Sequence, residues 1–441
     1  MRQAATLEGG RGGPPHEQEN PDNRRILLTA YAIIAVCFLA LLALRDWNAR
    51  QPLFLGIYLT ACAAYGAAAL QARRGRFDSI PNISGWILLG GIALRLIVFW
   101  CPPTLSEDVF RYAWDGRVQN AGFGPYDFPP QADELQSLRD EDYQKINHKD
   151  FRTAYPPAAE LLFRALASVS GDHRLFKLVV ALFDCLLLFL LRRLLAAEGL
   201  SPALLLVYAW HPLAALEFAA NGHMDAIAIC LMFLSFLLLK KRPSLAGAAL
   251  GAAVLTKYLP AVTLPWTIGK GGWKMALCFI AIIIVLLLQY YTSDLRIFRG
   301  LFIFYRKWWF NDSVFGILRL LFGSAEPARL TGAAFALAAG ALCLWKRYSG
   351  YRSVFLINAV IIVFAPVVHP WYVCWLIPFL VFHRNPAWLF FTCWIATSYL
   401  IRTVSPEGIW QHVLWLRLMV YTPLYAWLLR DGIRMLNKDR S

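Results

Sequence analysis

Long apolar runs separated by short polar segments recur along most of the chain. Runs of roughly 17–20 apolar residues are long enough to cross a hydrocarbon core of about 30 Å as helices. We predict about 12–14 such spans, near 26–44, 53–70, 84–100, 175–191, 200–219, 224–239, 244–256, 258–268, 275–291, 329–345, 353–368, 370–382, 387–402 and 410–429. The segment 158–170 is shorter and carries Arg164, and we interpret it as a helix lying on the membrane surface.

Composition supports an all-α polytopic membrane protein. Charged residues make up only 16% of the chain, against roughly 25% in soluble domains. The net charge of +15 does not indicate nucleic acid, because the Lys and Arg residues lie between apolar runs, as they do in cytoplasmic loops. The nine cysteines contain no C-x-x-C pair, which argues against a metal site or a disulfide framework.

The basic residues also predict the orientation. We expect a disordered cytoplasmic N-terminus over residues 1–25, a single transmembrane domain over 26–430 and a cytoplasmic tail over 431–441. The loop 101–157 then lies on the opposite side, with four further polar segments: Asn221–Asp225, Thr256–Tyr258, Trp308–Asn311 and His369. Polar groups at membrane depth are costly and usually line a cavity, so their convergence on one side predicts a single site there.

The loop 101–157 holds ten of the 28 acidic residues. Ser106 is a suitable N-cap for a helix in which Glu107 and Asp108 fall in the first turn, where the helix dipole favours negative charge. A helix-start charge is also the simple structural explanation for Asp108. Phe110, Trp114 and Val118 form an apolar stripe, expected to lie on the membrane or the bundle, while Asp108, Tyr112, Asp115 and Gln119 share another face. A second surface helix is expected near 131–145.

The string from Asp108 to Arg117, followed by Gly124-Pro125-Tyr126 and Tyr155-Pro156-Pro157, resembles the GT-C superfamily of membrane glycosyltransferases. It is most similar to the bacterial polyprenol-phosphate-mannose-dependent mannosyltransferases. Further matches, spanning roughly 84 to 382, are Asn221-Gly222-His223-Met224-Asp225, Thr256-Lys257-Tyr258, Phe310 to Gly316 and His369-Pro370-Trp371-Tyr372.

The resemblance implies transfer of a hexose from a polyprenyl phosphate to an acceptor hydroxyl. In the most similar enzymes of the superfamily, this hexose is mannose. It implies a multi-pass protein of the bacterial inner (plasma) membrane, with its active site on the periplasmic or extracellular side and both termini cytoplasmic. Asp108 matches the family's base, with Glu107 as its rival, and His369 is a third catalytic candidate. One base suits a single displacement with inversion, since the phosphate leaving group needs no acid but needs positive charge. Lys257, Arg306, Lys307, Arg111 and Arg117 are the candidate cations.

The candidate substrate-binding residues, taken together, are Arg111, Tyr112, Asp115, Arg117, Tyr155, Asn221, His223, Asp225, Lys257, Tyr258, Asn311, Trp371 and Tyr372. His223 and Asp225 are residue types that can bind a metal ion together, but the sequence offers no third ligand at a suitable spacing. The resemblance likewise implies no metal and no cofactor, the lipid-phosphate sugar being a co-substrate.

Four charged residues fall inside or near spans: Arg95, Asp184, Glu217 and Arg402. An unpaired charge in lipid is costly, so we expect buried pairs. Glu217 lies one turn before Asn221, within reach of the predicted cavity.

Three other functions remain open from the sequence. A donor sugar other than mannose, such as glucose, arabinose or an aminosugar, depends on pocket contacts that no motif reveals. A lipid or glycan transporter is disfavoured because the chain lacks an inverted repeat and its polar groups lie at one face. An inactive assembly protein does not account for the acidic loop. The acceptor, whether glycolipid, glycan or protein, is not encoded in any motif.

Overall fold

The computed structural model describes residues 21–292, 295–404 and 413–438, and within these ranges the regular structure is helical. Residues 21–288 contain twelve α-helices: α1 Pro21–Leu44, α2 Gln51–Arg73, α3 Ile83–Phe99, α4 Asp108–Asn120, α5 Glu141–Lys145, α6 Pro157–Val169, α7 His173–Ala197, α8 Leu206–Ala209, α9 Pro212–Ala215, α10 Asp225–Leu238, α11 Pro243–Thr256 and α12 Leu264–Leu288.

Nine more α-helices follow: α13 Arg299–Lys307, α14 Val314–Phe322, α15 Ala325–Trp345, α16 Gly350–Phe364, α17 Pro370–Val373, α18 Ile377–Leu380, α19 Pro386–Trp394, α20 Ile401–Val404 and α21 Leu414–Lys438. Short 3-10 helices cover Asp133–Leu138, Pro202–Leu205, Leu259–Thr263, Arg296–Phe298, Cys374–Leu376 and Ile395–Leu400, and a π-helical turn covers Leu216–Ala220.

Within the described ranges, five helical segments are long and apolar enough to cross a membrane, and a bent pair raises the number to six. The predicted all-α membrane fold is therefore confirmed. The five are Pro21–Leu44, Gln51–Arg73, Leu259–Leu288, Ala325–Trp345 and Pro386–Val404. Shorter apolar helices, such as Asp225–Leu238 and Gly350–Phe364, occupy several of the other predicted spans.

The helical backbone breaks inside one predicted span and between two others. The segment 200–219 bends by 56° between Pro202–Ala209 and Pro212–Ala220, because proline at 212 cannot donate the hydrogen bond that would continue the first helix. The run Leu264–Leu288 breaks at Gly272, whose φ of 65° and ψ of −163° are open only to glycine. That break separates the predicted spans 258–268 and 275–291.

Helix α4 is buried on almost every side, which corrects the expectation that the loop helices lie on a surface. Phe110, Trp114 and Val118 are buried, but so are Tyr112 and Asp115 on another face. The helix packs against α6, α7 and α5. Gly116 makes this possible, since a Cβ there would collide with the backbone carbonyl of Phe163 on α6.

The second predicted surface helix, near 131–145, is instead two short helices, Asp133–Leu138 and Glu141–Lys145. Arg139 and Asp140 between them have extended backbones. The Asp140 carboxylate accepts a hydrogen bond from the Tyr143 backbone N–H at 2.9 Å, so it caps a new helix where the sequence pattern predicted a continuous one.

Arg95 on α3 and Asp184 on α7 form the buried ion pair expected from the sequence. Two guanidinium nitrogens lie 2.7 and 3.2 Å from the two carboxylate oxygens, and the Tyr208 hydroxyl donates a third bond to Asp184 at 2.6 Å. Arg95 also donates to the carbonyls of Gly91 and Ala209. Every formal charge in this pair is thus matched inside the bundle.

Candidate active site

Asp108 stands at the first position of α4, with its side chain 21% exposed. The hydroxyl of Ser106 accepts a hydrogen bond from the Asp108 backbone N–H at 3.3 Å, so Ser106 helps to begin the helix as the sequence suggests. The unpaired N–H groups of a helix's first turn favour an anion at this point. The carboxylate is therefore held in place while remaining accessible.

A sharp corner over residues 216–225 brings the second part of the site against α4. It consists of the π-helical turn Leu216–Ala220, then Asn221 and Gly222, and it leads into α10. Gly222 has φ 77°, and a Cβ on it would lie 2.9 Å from Cγ of Lys177 and 3.2 Å from Cγ2 of Val109. Only glycine fits this conformation and this close approach to the residue after Asp108.

The corner places His223 between two carboxylates. Its Nδ1 lies 3.6 Å from Oδ2 of Asp108, and its Nε2 lies 3.4 Å from Oε2 of Glu217. The side chains of His223 and Glu217 are fully buried. Glu217 also accepts hydrogen bonds from the Tyr399 hydroxyl at 2.7 Å and from the Asn221 amide at 3.1 Å. These two neutral donors fix the glutamate carboxylate against the imidazole.

Four aromatic rings, of which His223 is the first, form a stacked column. Trp371 stacks on His223 with ring centroids 4.0 Å apart, His369 stacks on Trp371 at 4.2 Å, and Phe310 stacks on His369 at 4.9 Å. Tyr372 meets His369 edge-on at 5.4 Å. The column positions both histidines by packing them against Trp371.

Lys257 supplies a cation on the other side of Asp108. Its ammonium lies 3.5 Å from Oδ2 of Asp225 and 5.2 Å from the centre of the Tyr155 ring. Asp225 is held in turn by the indole N–H of Trp375, at 2.8 Å. Lys257 is 21% exposed, so its charge is fixed by these neighbours while still facing solvent.

Glu107, the neighbour of Asp108, is already engaged. A guanidinium nitrogen of Arg402 lies 3.0 and 3.3 Å from its two carboxylate oxygens, and the Asn147 amide donates a weaker bond at 3.4 Å. Of the two adjacent acids, Glu107 is thus held by an arginine, and Asp108 is the candidate base that lies beside His223.

The electrostatics of the site follow from its burial. Burial raises the pKa of Asp108, and Glu107 and Asp225 raise it further, against the opposing effects of His223 and Lys257. Burial also holds the pKa of His369 well below its ordinary value, and the nearby positive charges add to this. His369 is consequently neutral at pH 7 and can either accept or donate a hydrogen bond.

Residues 95–270 match the model of a family described as alpha-(1->6)-mannopyranosyltransferase, N-terminal domain. The protein is therefore a glycosyltransferase. The matched range contains Asp108, His223 and Lys257, whereas His369 and Trp371 lie beyond it. The comparisons with curated proteins and with solved structures give no match. The resemblance read from the sequence is therefore confirmed by a family whose members transfer mannose.

In this glycosyltransferase, most of the predicted substrate-binding residues gather within reach of Asp108. They share either a direct contact or an electrostatic interaction with Asp108, Glu217, His223 or Asp225, and they are Tyr112, Tyr155, Asn221, His223, Asp225, Lys257, Trp371 and Tyr372. Tyr258 follows Lys257 and is half-buried. Residues from five separate segments of the sequence thus meet at one place.

Other predicted residues have partners of their own. Arg111 and Asp115 form a buried pair at 2.8 Å within α4, and Arg117 pairs with Asp140 at the far end of that helix. Asn311 bonds through its amide to the Val368 carbonyl at 3.0 Å, next to the stacked column. Each of these four side chains therefore has a partner within the protein.

The two remaining candidate cations lie on α13, away from the pairs around Asp108. Arg306 packs over the Phe302 ring at 4.4 Å, and Lys307 packs over the Phe151 ring at 5.6 Å. Both residues are exposed. Arg306 and Lys307 are therefore placed to contact groups outside the protein.

Two residues that the sequence analysis did not place in the site are Arg402 and His148. Arg402 was expected to form a buried pair, and it forms a partly exposed one with Glu107 beside the candidate base. His148 interacts electrostatically with Asp108 and Glu107 and meets the Trp308 ring edge-on at 4.7 Å. Neither carries a local sequence signal, because both reach the site only through the tertiary fold.

Among the residues that the structure describes, three or more His, Cys, Asp or Glu side chains are nowhere grouped in a way that suits a metal ion. The pair His223 and Asp225 is divided between different partners, His223 facing Asp108 and Glu217 while Asp225 faces Lys257 and Trp375. The arrangement can move a proton and balance a negative charge, which is the chemistry of a base beside a leaving anion.

Proposed function

We propose that the protein transfers mannose from a polyprenyl-phosphate-linked donor to an acceptor hydroxyl, by a single displacement that inverts the anomeric carbon. The observation that carries the proposal is the pairing pattern of two adjacent acids. Glu107 is paired with Arg402, while Asp108 is partly exposed and lies beside His223, which can share its proton, and near Lys257, which balances its charge. A single carboxylate that acts as a base suits one displacement, whereas retaining glycosidases use two.

Asp108 acts as the general base in this proposal. A sugar hydroxyl becomes a good nucleophile only as its proton leaves, and a carboxylate within hydrogen-bond reach takes that proton as the new C–O bond forms. Burial raises the pKa of Asp108, and a higher pKa makes the carboxylate a stronger base in its ionised form.

Lys257 is proposed to balance the negative charge that develops on the leaving phosphate. Its ammonium is held by Asp225 and packs over Tyr155, so little reorganisation is needed when the charge moves. His369, neutral and stacked on Trp371, is placed to donate a hydrogen bond to a phosphate oxygen. No metal is required in this scheme, and added chelator should leave the rate of transfer unchanged.

The first experiment measures transfer from synthetic polyprenyl-phosphate mannose by the purified protein, with membrane extract as the source of acceptor. We expect Asp108→Asn to lower kcat by about 10³-fold, within the range for a general base, and Glu107→Gln to lower it far less. Donor binding by both variants is the control for folding. If Asp108→Asn retains activity and Glu107→Gln does not, the base is Glu107. Transfer only from another polyprenyl-phosphate sugar would contradict mannose.

The site is proposed to face the non-cytoplasmic side of a bacterial plasma membrane. A cysteine introduced at Gln131, an exposed residue of the 101–157 loop, should react in intact cells with a thiol reagent that cannot cross the membrane. A cysteine at Lys240, on the opposite side in the predicted topology, is the matched control and should react only after the cells are opened. The reverse pattern would overturn the proposed orientation.

A further inference from the structure

The fully buried Glu217 has no part in the proposed reaction, yet it contacts the residue next to the base. Its Oε2 lies 3.4 Å from Nε2 of His223, whose Nδ1 lies 3.6 Å from Asp108. The three side chains therefore form a line of carboxylate, imidazole and carboxylate that leads from the partly exposed Asp108 into the bundle. A buried carboxylate at one ring nitrogen decides which tautomer a histidine adopts.

We propose that Glu217 is a positioning residue that keeps the His223 proton on Nε2, so that Nδ1 faces Asp108 and takes over the proton that Asp108 removes from the acceptor. This inference rests on the proposed function and deepens it.

The backbone around Glu217 is shaped to hold this line. Glu217 lies in the π-helical turn Leu216–Ala220, a distortion frequently found at functional sites. The His223 backbone N–H donates to the Glu217 carbonyl at 3.0 Å, which closes the corner on itself. Tyr399 and Asn221 donate to the glutamate side chain, and Trp371 stacks on the imidazole. Glu217 and His223 are therefore both held in place.

The transfer step forms one bond at the anomeric carbon and breaks another. The acceptor oxygen bonds to the anomeric carbon, the bond from that carbon to the phosphate oxygen breaks, and its electron pair leaves with the phosphate. The acceptor proton moves to Asp108 and then to Nδ1 of His223, which becomes an imidazolium between two carboxylates. The leaving phosphate monoester or water finally takes the proton, and Asp108 and His223 return to their starting forms.

The charged and titratable groups that face Asp108 and His223 decide the pH dependence of this step. They come from α4 and the residue before it, from the loop before α6, from the corner, from the residue after α11, and from α17 and the residue before it, and they are Glu107, Tyr112, His148, Tyr155, Glu217, Asp225, Lys257, His369 and Tyr372. Glu217 is the negative charge in direct contact with Nε2. Its removal weakens the hold of the Asp108–His223 pair on its proton.

The test compares Glu217→Gln with Glu217→Asp in the transfer assay, across pH. We expect Glu217→Gln to lower kcat about tenfold or more, to leave the KM for polyprenyl-phosphate mannose within about twofold, and to move the acid limb of kcat to lower pH by about one unit. Glu217→Asp keeps the charge at a greater distance, so kcat should fall while the acid limb stays in place. Glu160→Gln, which neutralises an equally buried glutamate on α6, is the control and should change neither.

An unchanged kcat in Glu217→Gln, or an acid limb that does not move, would overturn the inference and leave only a structural role for Glu217. Should Glu217→Gln fail to fold, wild-type kcat in Glu217→Asp would overturn it equally. The failure of the proposed function gives a different result, because the wild-type protein would then transfer no mannose from this donor. Full activity in Glu217→Gln beside an inactive Asp108→Asn defeats the inference alone.

Discussion

Two polar clusters lie inside this helix bundle, and they are built in opposite ways. Around Arg95 and Asp184, both carboxylate oxygens accept from the guanidinium, the Tyr208 hydroxyl also donates to Asp184, and the other guanidinium nitrogen donates to a backbone carbonyl. Around Asp108, within the described part of the chain, His223 has both ring nitrogens at ion-pair distance from carboxylates but with no well-aligned hydrogen bond to a protein group. The hydrogen bonds of the first cluster are satisfied, whereas the imidazole in the second cluster has no well-aligned hydrogen bond to any described residue.

The difference separates a structural pair from a catalytic one more sharply than burial does. Asp184 and Glu217 are both fully buried acids, so exposure alone cannot tell which of them takes part in chemistry. A satisfied network rigidifies the bundle, whereas an incompletely satisfied one carries a cost that persists only where function needs it. Mutations in the Arg95–Asp184 cluster should therefore lower stability, whereas mutations in the cluster around Asp108 should lower activity.

The largest expected effect on stability comes from breaking the Arg95–Asp184 cluster. Asp184→Asn leaves the Arg95 guanidinium buried without a counter-charge, which costs about 3–5 kcal/mol. We expect a large fall in the thermal unfolding midpoint in detergent, while the folded fraction keeps its kcat. Asp431→Asn removes one partner of an exposed pair on α21 and is the control, with little change expected. A stable Asp184→Asn variant would remove the distinction between the clusters.

The amino-acid sequence specifies much of the fold because membrane spans leave a strong apolar signal. Most predicted spans coincide with helices, and Arg95 and Asp184 form the expected pair. What the pattern misses are interruptions. The bend between Ala209 and Pro212 and the two short helices around Asp140 depend on a proline and on a local cap, which leave the average hydropathy almost unchanged.

The site is less readable than the fold. Asp108, Lys257 and His369 carry local motifs, so their candidacy can be predicted, but nothing local pairs Glu107 with Arg402, which lies almost 300 residues along the chain. The burial of α4 was also missed, because a helix with Arg111, Asp115 and Gln119 has the composition of a surface helix. Its polar side chains are buried by pairing with one another and with α6.

A second test examines the cation of the cluster around Asp108. Lys257→Met keeps most of the side-chain volume but removes the ammonium, and a hydrogen bond to a charged group is worth about 1.5–3 kcal/mol. We expect kcat/KM for the polyprenyl-phosphate donor to fall about 10- to 100-fold. Lys274→Met, at an exposed lysine over Trp273, should leave it unchanged. Equal activity in both variants would remove Lys257 from the proposed phosphate contact.

A smaller effect should follow from moving the corner without changing any charge. Gly222→Ala places a Cβ against Val109 and Lys177 at positive φ, so the imidazole of His223 must shift away from Asp108. Because small misplacements of reacting groups are costly, we expect kcat to fall by about tenfold. Gly199→Ala has the matched backbone strain at φ 65°, with nothing within 4 Å, and should not affect kcat. A similar loss in both variants would indicate backbone strain alone.

The smallest expected effect has the opposite sign to that of Asp184→Asn. The fold raises the pKa of Asp108, so the native state binds this proton more tightly than the unfolded state does, and the stability from that proton is lost as pH rises through the native pKa. Asp108→Asn carries no such titrating charge. We expect its unfolding midpoint at pH 7 to exceed that of the wild type by a small margin, which disappears in acid. A lower midpoint at pH 7 would show that Asp108, like Asp184, belongs to a completed structural pair.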